Sequence, residues 1–281
     1  MSILKLAAVV LAGALVAACQ TAPARIAAAE PAPTLPALRG DYFRLDSAIL
    51  GRPLHIHVAL PDGYERETTS YPAIYITDGD SLFPLLAPTH LFLTYDEPVP
   101  PAILVGIAYG SFDPAQGNRR DTDYVAPDPA APTSAAAAYQ RTLAEELIPE
   151  IERRYRANPE RRILIGQSLG AAFVIHSALS DPDLFWGRIA SNPSFRVRRD
   201  AYFAPPSPAS RPTSLFVASG ERDRPQLRAD ALAWFDHWNA QTPRPWELKT
   251  VTISNGTHAA SIGEVYRQGM TWLFRNEPPQ R

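Results

Sequence analysis

The sequence predicts an α/β domain with a mostly parallel, doubly wound sheet and helices on both faces. Three observations carry that prediction. Short continuous apolar runs alternate along the chain with stretches of helical periodicity, the pattern of strands buried on both faces between crossover helices. The chain has 281 residues, 46% hydrophobic and 20% charged, enough for one large domain. Its formal net charge is −2, without the basic excess of a nucleic-acid binder. At "RILIGQSLGAAF" (162–173) an apolar strand pattern runs directly into Gly-x-Ser-x-Gly and then a small-residue helix. Such a triplet alone arises by chance in roughly one chain in ten of this length, so the surrounding elements must decide its meaning.

The first element is a leader. "MSILKLAAVVLAGALVAACQ" places Lys5 before an apolar run over residues 6–18 and small residues before Cys19, the one cysteine of the chain. The run is too short to span a bilayer and suits a signal-peptide core over residues 1–18. "LVAAC" resembles a bacterial lipobox, which implies lipidation of Cys19, a membrane anchor there and an envelope location; a plain secretory signal cleaved near Ala17 or Ala18 is the alternative. Gln20 after that cysteine implies sorting to the periplasmic face of the outer membrane. A mature chain with no further cysteine also fits an oxidising compartment. Residues 19–39, mostly alanine and proline after Cys19, read as a semi-extended tether that cannot bury a core. The folded domain is expected over residues 40–281.

Within it, "PLHIHVALP" alternates with period two and reads as a strand, and "AIYITDGD" and "AILVGIAYG" read as buried strands. Residues 135–157 carry Tyr139, Leu143, Leu147, Ile148, Ile151 and Tyr155 at helical spacing. Glu145 and Glu146 come early, and Arg153, Arg154 and Arg156 late, as the helix dipole favours. "RRILIGQ" is the next strand, with a helix over about 168–179. "TSLFVASG" and "ELKTVTIS" complete the strand series. A helix bearing Leu232, Phe235 and Trp238 lies between them, and another over about 261–274 closes the domain.

In such a sheet, function gathers at the carboxyl ends of the strands. Ser168 sits there at the start of a helix, whose free N–H groups favour a developing negative charge. Gly166 and Gly170 leave room for the sharp turn. A serine hydroxyl needs a base beside it. Of six histidines, His55 and His57 share one face of a strand with no further metal ligand near in sequence. His90 follows a Pro-Thr stretch read as a loop, His176 packs along the helix, and His237 is mid-helix. His258, in the glycine-bearing loop "TISNGTHAAS" after the last strand, can reach back over the sheet as general base. The orienting acid is expected after "LFVASG", where Asp223 is favoured and Glu221 is the alternative. The order Ser, acid, His then follows the α/β-hydrolase arrangement. The oxyanion donors are expected to be the N–H of Leu169 and one from Gly79 or Asp80. No metal or organic cofactor is required, and the partner is a small-molecule ester.

"YPAIYITDGD", "ILVGIAY", "RRDTDYVAP", "LIPEIERRY", "ILIGQSLGAAFVIHSALSDPDLFWGRIASNPSF" and "GTHAASI…GMTWLF" together resemble the esterase group of the α/β-hydrolases. That group includes esterase D-like enzymes, bacterial ferric-siderophore trilactone esterases, feruloyl and other carbohydrate esterases, and mycolyltransferases. The resemblance covers nearly all of residues 41–275. It implies an α/β-hydrolase fold and a serine esterase working through an acyl-enzyme with Ser168, His258 and Asp223 or Glu221. Gln167 and Ala171 depart from the group's more usual histidine and glycine. The resemblance further implies a basic, aromatic pocket for an anionic catecholate, for which Arg120, Trp186 and Phe195 are the candidates. Arg120 and Asp123 could instead pin their loop as an ion pair. Acyl transfer and removal of acetyl or feruloyl groups from glycans are alternative activities, and a ligand-binding lipoprotein is the non-enzymatic one. "APPSPASRP" (204–212) reads either as a flap over the site or as a surface loop.

Overall fold

A computed structural model describes residues 35–127 and 135–277. The expected signal peptide (1–18), Cys19 and most of the expected tether lie outside the described residues. The end of that tether, Pro36–Leu38, forms a 3-10 turn.

Among the described residues eight strands make one sheet: β1 (Gly40–Ser47), β2 (Arg52–Ala59), β3 (Tyr71–Ile76), β4 (Ile103–Ala108), β5 (Ala157–Gln167), β6 (Gly187–Ser191), β7 (Ser214–Gly220) and β8 (Glu247–Ile253). Their order is β1-β2-β4-β3-β5-β6-β7-β8. β2 pairs antiparallel with both β1 and β4, and every pair from β4 to β8 is parallel. The doubly wound α/β architecture predicted from the sequence is therefore the one observed. The chain leaves β3 for β4 on one side and returns to β5 on the other, so the sheet's switch point lies between β3 and β5.

Period-two alternation sorts the strand side chains between two cores. Ile74, Ile76, Ile163, Ile165, Ile189 and Phe216 face Leu82, Phe83, Leu86, Val265, Tyr266 and Met270. The latter six belong to α1 (Gly79–Asp96) and α7 (Ile262–Leu273). Tyr75, Val105, Leu164 and Val217 point the other way, into a core with Tyr139, Leu143, Phe173, Trp234 and Trp238. These come from α3 (Ala135–Thr142) and the turn after it, α5 (Leu169–Ser180) and α6 (Pro225–Ala240). A single turn, α2 (Arg120–Asp123), lies in the loop after β4.

Three elements differ from the expectations. β1 is a half-exposed edge strand with little apolar signal. α1 contains Pro84 and Pro88, which in sequence argue against a helix, yet its buried Leu82, Phe83, Leu86 and Leu93 hold it together. His90 therefore lies inside a helix rather than after a loop. It is buried, and its Nε2–H donates to the Pro100 carbonyl while Nδ1 accepts from the Tyr266 hydroxyl. The predicted helix over 135–157 is broken by a π-turn at Leu143–Leu147 before α4 (Ile148–Arg154). Pro149 cannot donate to the carbonyl four residues back, and the Ile148 N–H reaches Leu143 instead.

Candidate active site

Ser168 occupies the corner between β5 and α5 with φ 60° and ψ −115°, a conformation rarely held by a residue with a side chain. The surroundings enforce it. A Cβ at Gly166 would lie 2.3 Å from the Gly170 carbonyl oxygen, and one at Gly170 would lie 2.5 Å from Thr77 Oγ1. The Ser168 N–H donates to Ser191 O at the end of β6 (3.0 Å), and the Ser194 N–H donates to Ser168 O (3.1 Å). The hydroxyl is thus fixed at the carboxyl edge of the sheet by backbone bonds on both sides.

His258 reaches it from the loop after β8. Its Nε2 lies 2.9 Å from Ser168 Oγ, and its Nδ1 lies 2.9 Å from Asp223 Oδ1. A carboxylate can only accept, so Nδ1 carries the proton and Nε2 is left to accept from the serine. The side chains of His258 and Asp223 are 16% and 1% exposed, so the imidazole–carboxylate contact is shielded from water. The Arg224 N–H also donates to Asp223 Oδ1 (2.6 Å). Glu221 faces elsewhere: it accepts from the Asn255 N–H (2.8 Å) and ties the loop after β7 to the turn after β8. Gln167, the residue before the serine, donates from Nε2 to the His258 carbonyl (2.6 Å). The nucleophile turn therefore grips the histidine loop directly, a contact the sequence does not signal.

Leu169 opens α5, and Gly79 and Asp80 open α1, so their N–H groups have no acceptor within their own helices. The two helix starts meet, because Gly170 packs against Thr77 and Asp78 at the end of β3. Gly79 is held within 2.7 Å, measured from a hypothetical Cβ, of the Ile107 nitrogen, a close approach that only glycine permits. The Asp80 carboxylate accepts from the N–H groups of Tyr109 and Gly110, both at 2.8 Å, and locks that corner to β4.

A cleft of about 400 Å³ opens over Ser168 and His258, bordered by Arg120, Arg196 and Arg224. A neighbouring cavity of about 240 Å³ shares Arg120 and Gln167 with it and adds Phe112 and Asn118. Arg120 forms a forked pair with Asp78 (2.9 and 3.1 Å). Burial works against the arginine's charge, but the Asp78 carboxylate outweighs it and pushes the guanidinium pKa up. The alternative reading, an ion pair between Arg120 and Asp123, is not what forms: Asp123 is buried and pairs with Arg52 and the Tyr109 hydroxyl.

Two of the expected substrate contacts lie elsewhere. Trp186 precedes β6, at the end of the strand remote from Ser168, where it packs on Phe274 and under Arg161. Phe195 is buried in the core against Tyr202 and Trp234. Aromatic content near a strand did not reveal which end of the strand a ring occupies. The 204–212 segment is no flap: Ser207 bonds Leu179 and Ser210 bonds Asp183. Leu179 lies near the C-terminal end of α5, about 16 Å along the axis from Ser168, and Asp183 lies in the turn beyond it. His55 bonds the Tyr42 hydroxyl and His57 packs on Phe83. Among the described residues no group of three or more His, Cys, Asp or Glu side chains could hold a metal ion.

The sequence matches the family described as "Putative esterase" over residues 47–264. It is 28% identical over 196 residues to the ferri-bacillibactin esterase BesA of Bacillus subtilis, covering 62% of this chain and 67% of that one. The fold is similar to the crystal structure of the BES protein from Bacillus cereus, with TM-score 0.73, 20% identity, and 88% and 98% of the two chains covered. It is also similar to an IroE-like serine hydrolase from Shewanella oneidensis, with TM-score 0.70, 21% identity, and 84% and 80% covered. The chain belongs to this esterase family and is a serine esterase built on the α/β-hydrolase fold.

Proposed function

We propose that the protein is a carboxylic-ester hydrolase of the bacterial envelope that cleaves siderophore-type esters through an acyl-enzyme on Ser168. The observation that carries this reading is the pair of 2.9 Å hydrogen bonds joining Ser168, His258 and Asp223. His258 Nε2 takes the serine proton as Oγ attacks the ester carbonyl, and the imidazolium that forms is stabilised by Asp223. The N–H of Leu169 and that of Gly79 or Asp80 stabilise the oxyanion. His258 returns the proton to the departing alkoxide. Water, deprotonated by the same imidazole, then releases the acid and frees Ser168.

The arginines support the substrate class. Arg120, Arg196 and Arg224 border the cleft; Arg120 pairs with Asp78 and Arg196 lies 3.6 Å from Asp121, which leaves Arg224 and the remaining guanidinium N–H groups to meet an anionic ligand such as a catecholate. The relatives point the same way, since BesA is named for a ferri-bacillibactin ester. The lipobox-like "LVAAC" supports an anchor at Cys19 and hence the envelope. The reading is tested with a panel of ferric and iron-free catecholate trilactones, acetylated and feruloylated glycans, and short p-nitrophenyl esters. A kcat/KM for a trilactone well above that for the short esters supports it. Turnover of short esters with none of any trilactone removes the siderophore assignment.

A further inference from the structure

The three residues of the proposed triad come from three separate segments, after β5, β7 and β8. One side chain that takes no part in the chemistry touches the framework of all three. Asn192, fully buried just past β6, holds φ 48°. Its backbone N–H donates to Ala218 O in β7 (2.8 Å). Its Oδ1 accepts from the N–H of Gly220 (2.6 Å), three residues before Asp223. Its Nδ2 donates to Ser191 Oγ (3.1 Å), and Ser191 O receives the N–H of Ser168. The second Nδ2 hydrogen goes to Ser261 Oγ (3.0 Å), whose own proton goes to Thr257 O (2.5 Å), next to His258.

Ser261 makes the last link specific. It stands at the N-cap of α7, where a serine hydroxyl ordinarily accepts from the first helical N–H groups. Here it makes no capping bond. Its hydroxyl is spent on Asn192 and Thr257 instead.

Resting on the triad reading above, we infer that Asn192 is a positioning residue. Its amide, relayed by Ser261, sets the distance between the histidine loop, the acid loop and the nucleophile turn. An amide is suited to the task, since it accepts from one loop while donating to two others. Asparagine also tolerates the left-handed backbone that the tight turn after β6 needs.

The test uses Asn192→Gly, which keeps the left-handed backbone without strain and removes only the amide. Ser261→Ala breaks the relay alone and loses no helix cap. Active sites are titrated with a fluorophosphonate, and kcat and KM for p-nitrophenyl butyrate are measured per titrated site. Asn192→Gly is expected to lower kcat about 100-fold, and Ser261→Ala about tenfold, with KM held within about threefold, because misplacement of about 1 Å at a reacting group has that scale of effect. The double variant is expected to be no slower than Asn192→Gly, since both substitutions cut one path. If the variants titrate fewer sites and melt earlier but keep the wild-type kcat per site, Asn192 is merely structural and the inference falls. If the wild type itself takes no label at Ser168, the triad reading falls, and the inference with it.

Discussion

The Asp223 carboxylate meets the His258 imidazole at 2.9 Å, while Glu221, two residues earlier, has turned to the Asn255 N–H. The two acids left open by the sequence thus face different loops. Asp223→Asn keeps the side-chain shape but can present an N–H to Nδ1, favouring the wrong tautomer. It is expected to lower kcat by roughly 10³- to 10⁴-fold. Glu221→Gln keeps an acceptor for Asn255 and is expected to stay within about threefold of wild type. Steady-state kinetics on a p-nitrophenyl ester separates the two.

Gly166 has no room for a side chain, since its Cβ would lie 2.3 Å from a backbone oxygen that cannot move aside. Gly166→Ala is expected to destabilise the fold by about 3 kcal/mol or more, as overpacking against main chain does. Gly263, in α7, has nothing within 4 Å of its hypothetical Cβ. Gly263→Ala is expected to be neutral or to stabilise by about 0.5–1 kcal/mol through helix propensity. Urea unfolding of both variants makes the comparison.

Arg120 serves two ends, pairing with Asp78 and bordering both cavities. Arg120→Ala leaves a largely buried carboxylate without its partner. A loss of about 2 kcal/mol is expected, below the range for fully buried pairs because the arginine side chain is 32% exposed. The same variant is expected to raise KM for an anionic catecholate ester about tenfold and to change KM for a neutral short ester little. Equal changes for both esters would count against a role in anion binding.

Burial pulls the pKa of His90 down to about 4 from an ordinary 6.5. Protonation of Nδ1 would also break its acceptance from Tyr266. The unfolded chain binds this proton near pH 6.5 and the folded chain only near 4, so stability falls as pH drops through that window. The loss from this one group approaches about 3 kcal/mol at the lower end. His90→Gln, which has no titrating group, is expected to reduce the slope of unfolding free energy between pH 6.5 and 4 without abolishing it, since burial pulls His176 down to about 4 as well. A slope unchanged by the substitution would locate the dependence elsewhere.

Apolar periodicity and the Gly-x-Ser-x-Gly turn made the parallel strands and the nucleophile corner legible in sequence. Those signals are local, and they mark β2, β3, β4, β5, β7 and β8. α1 was hidden because Pro84 and Pro88 argue against helix locally, and burial of Leu82, Phe83 and Leu86 outweighs them only in three dimensions. The choice between Asp223 and Glu221 could not be made from composition, since both follow the same strand. It depends on which way the loop turns, and the Arg222 N–H bond to Gly256 O fixes that turn. Trp186 failed as a site residue because its ring lies at the amino end of β6, a distinction that sequence proximity erases. Asn192 carries no motif, and Gln167 sits at a variable position of one, since an amide's role here is defined by loops distant in the chain.

Hydrolysis through an acyl-enzyme requires the ester's acyl group to be held transiently on Ser168. The most direct measurement is intact and peptide mass spectrometry of the protein quenched in acid during turnover of a slowly deacylated p-nitrophenyl ester, beside the Ser168→Ala variant. An acyl adduct is expected on the peptide bearing Ser168, together with loss of turnover in a variant that melts as the wild type does. An adduct elsewhere, or wild-type turnover by Ser168→Ala, would contradict it.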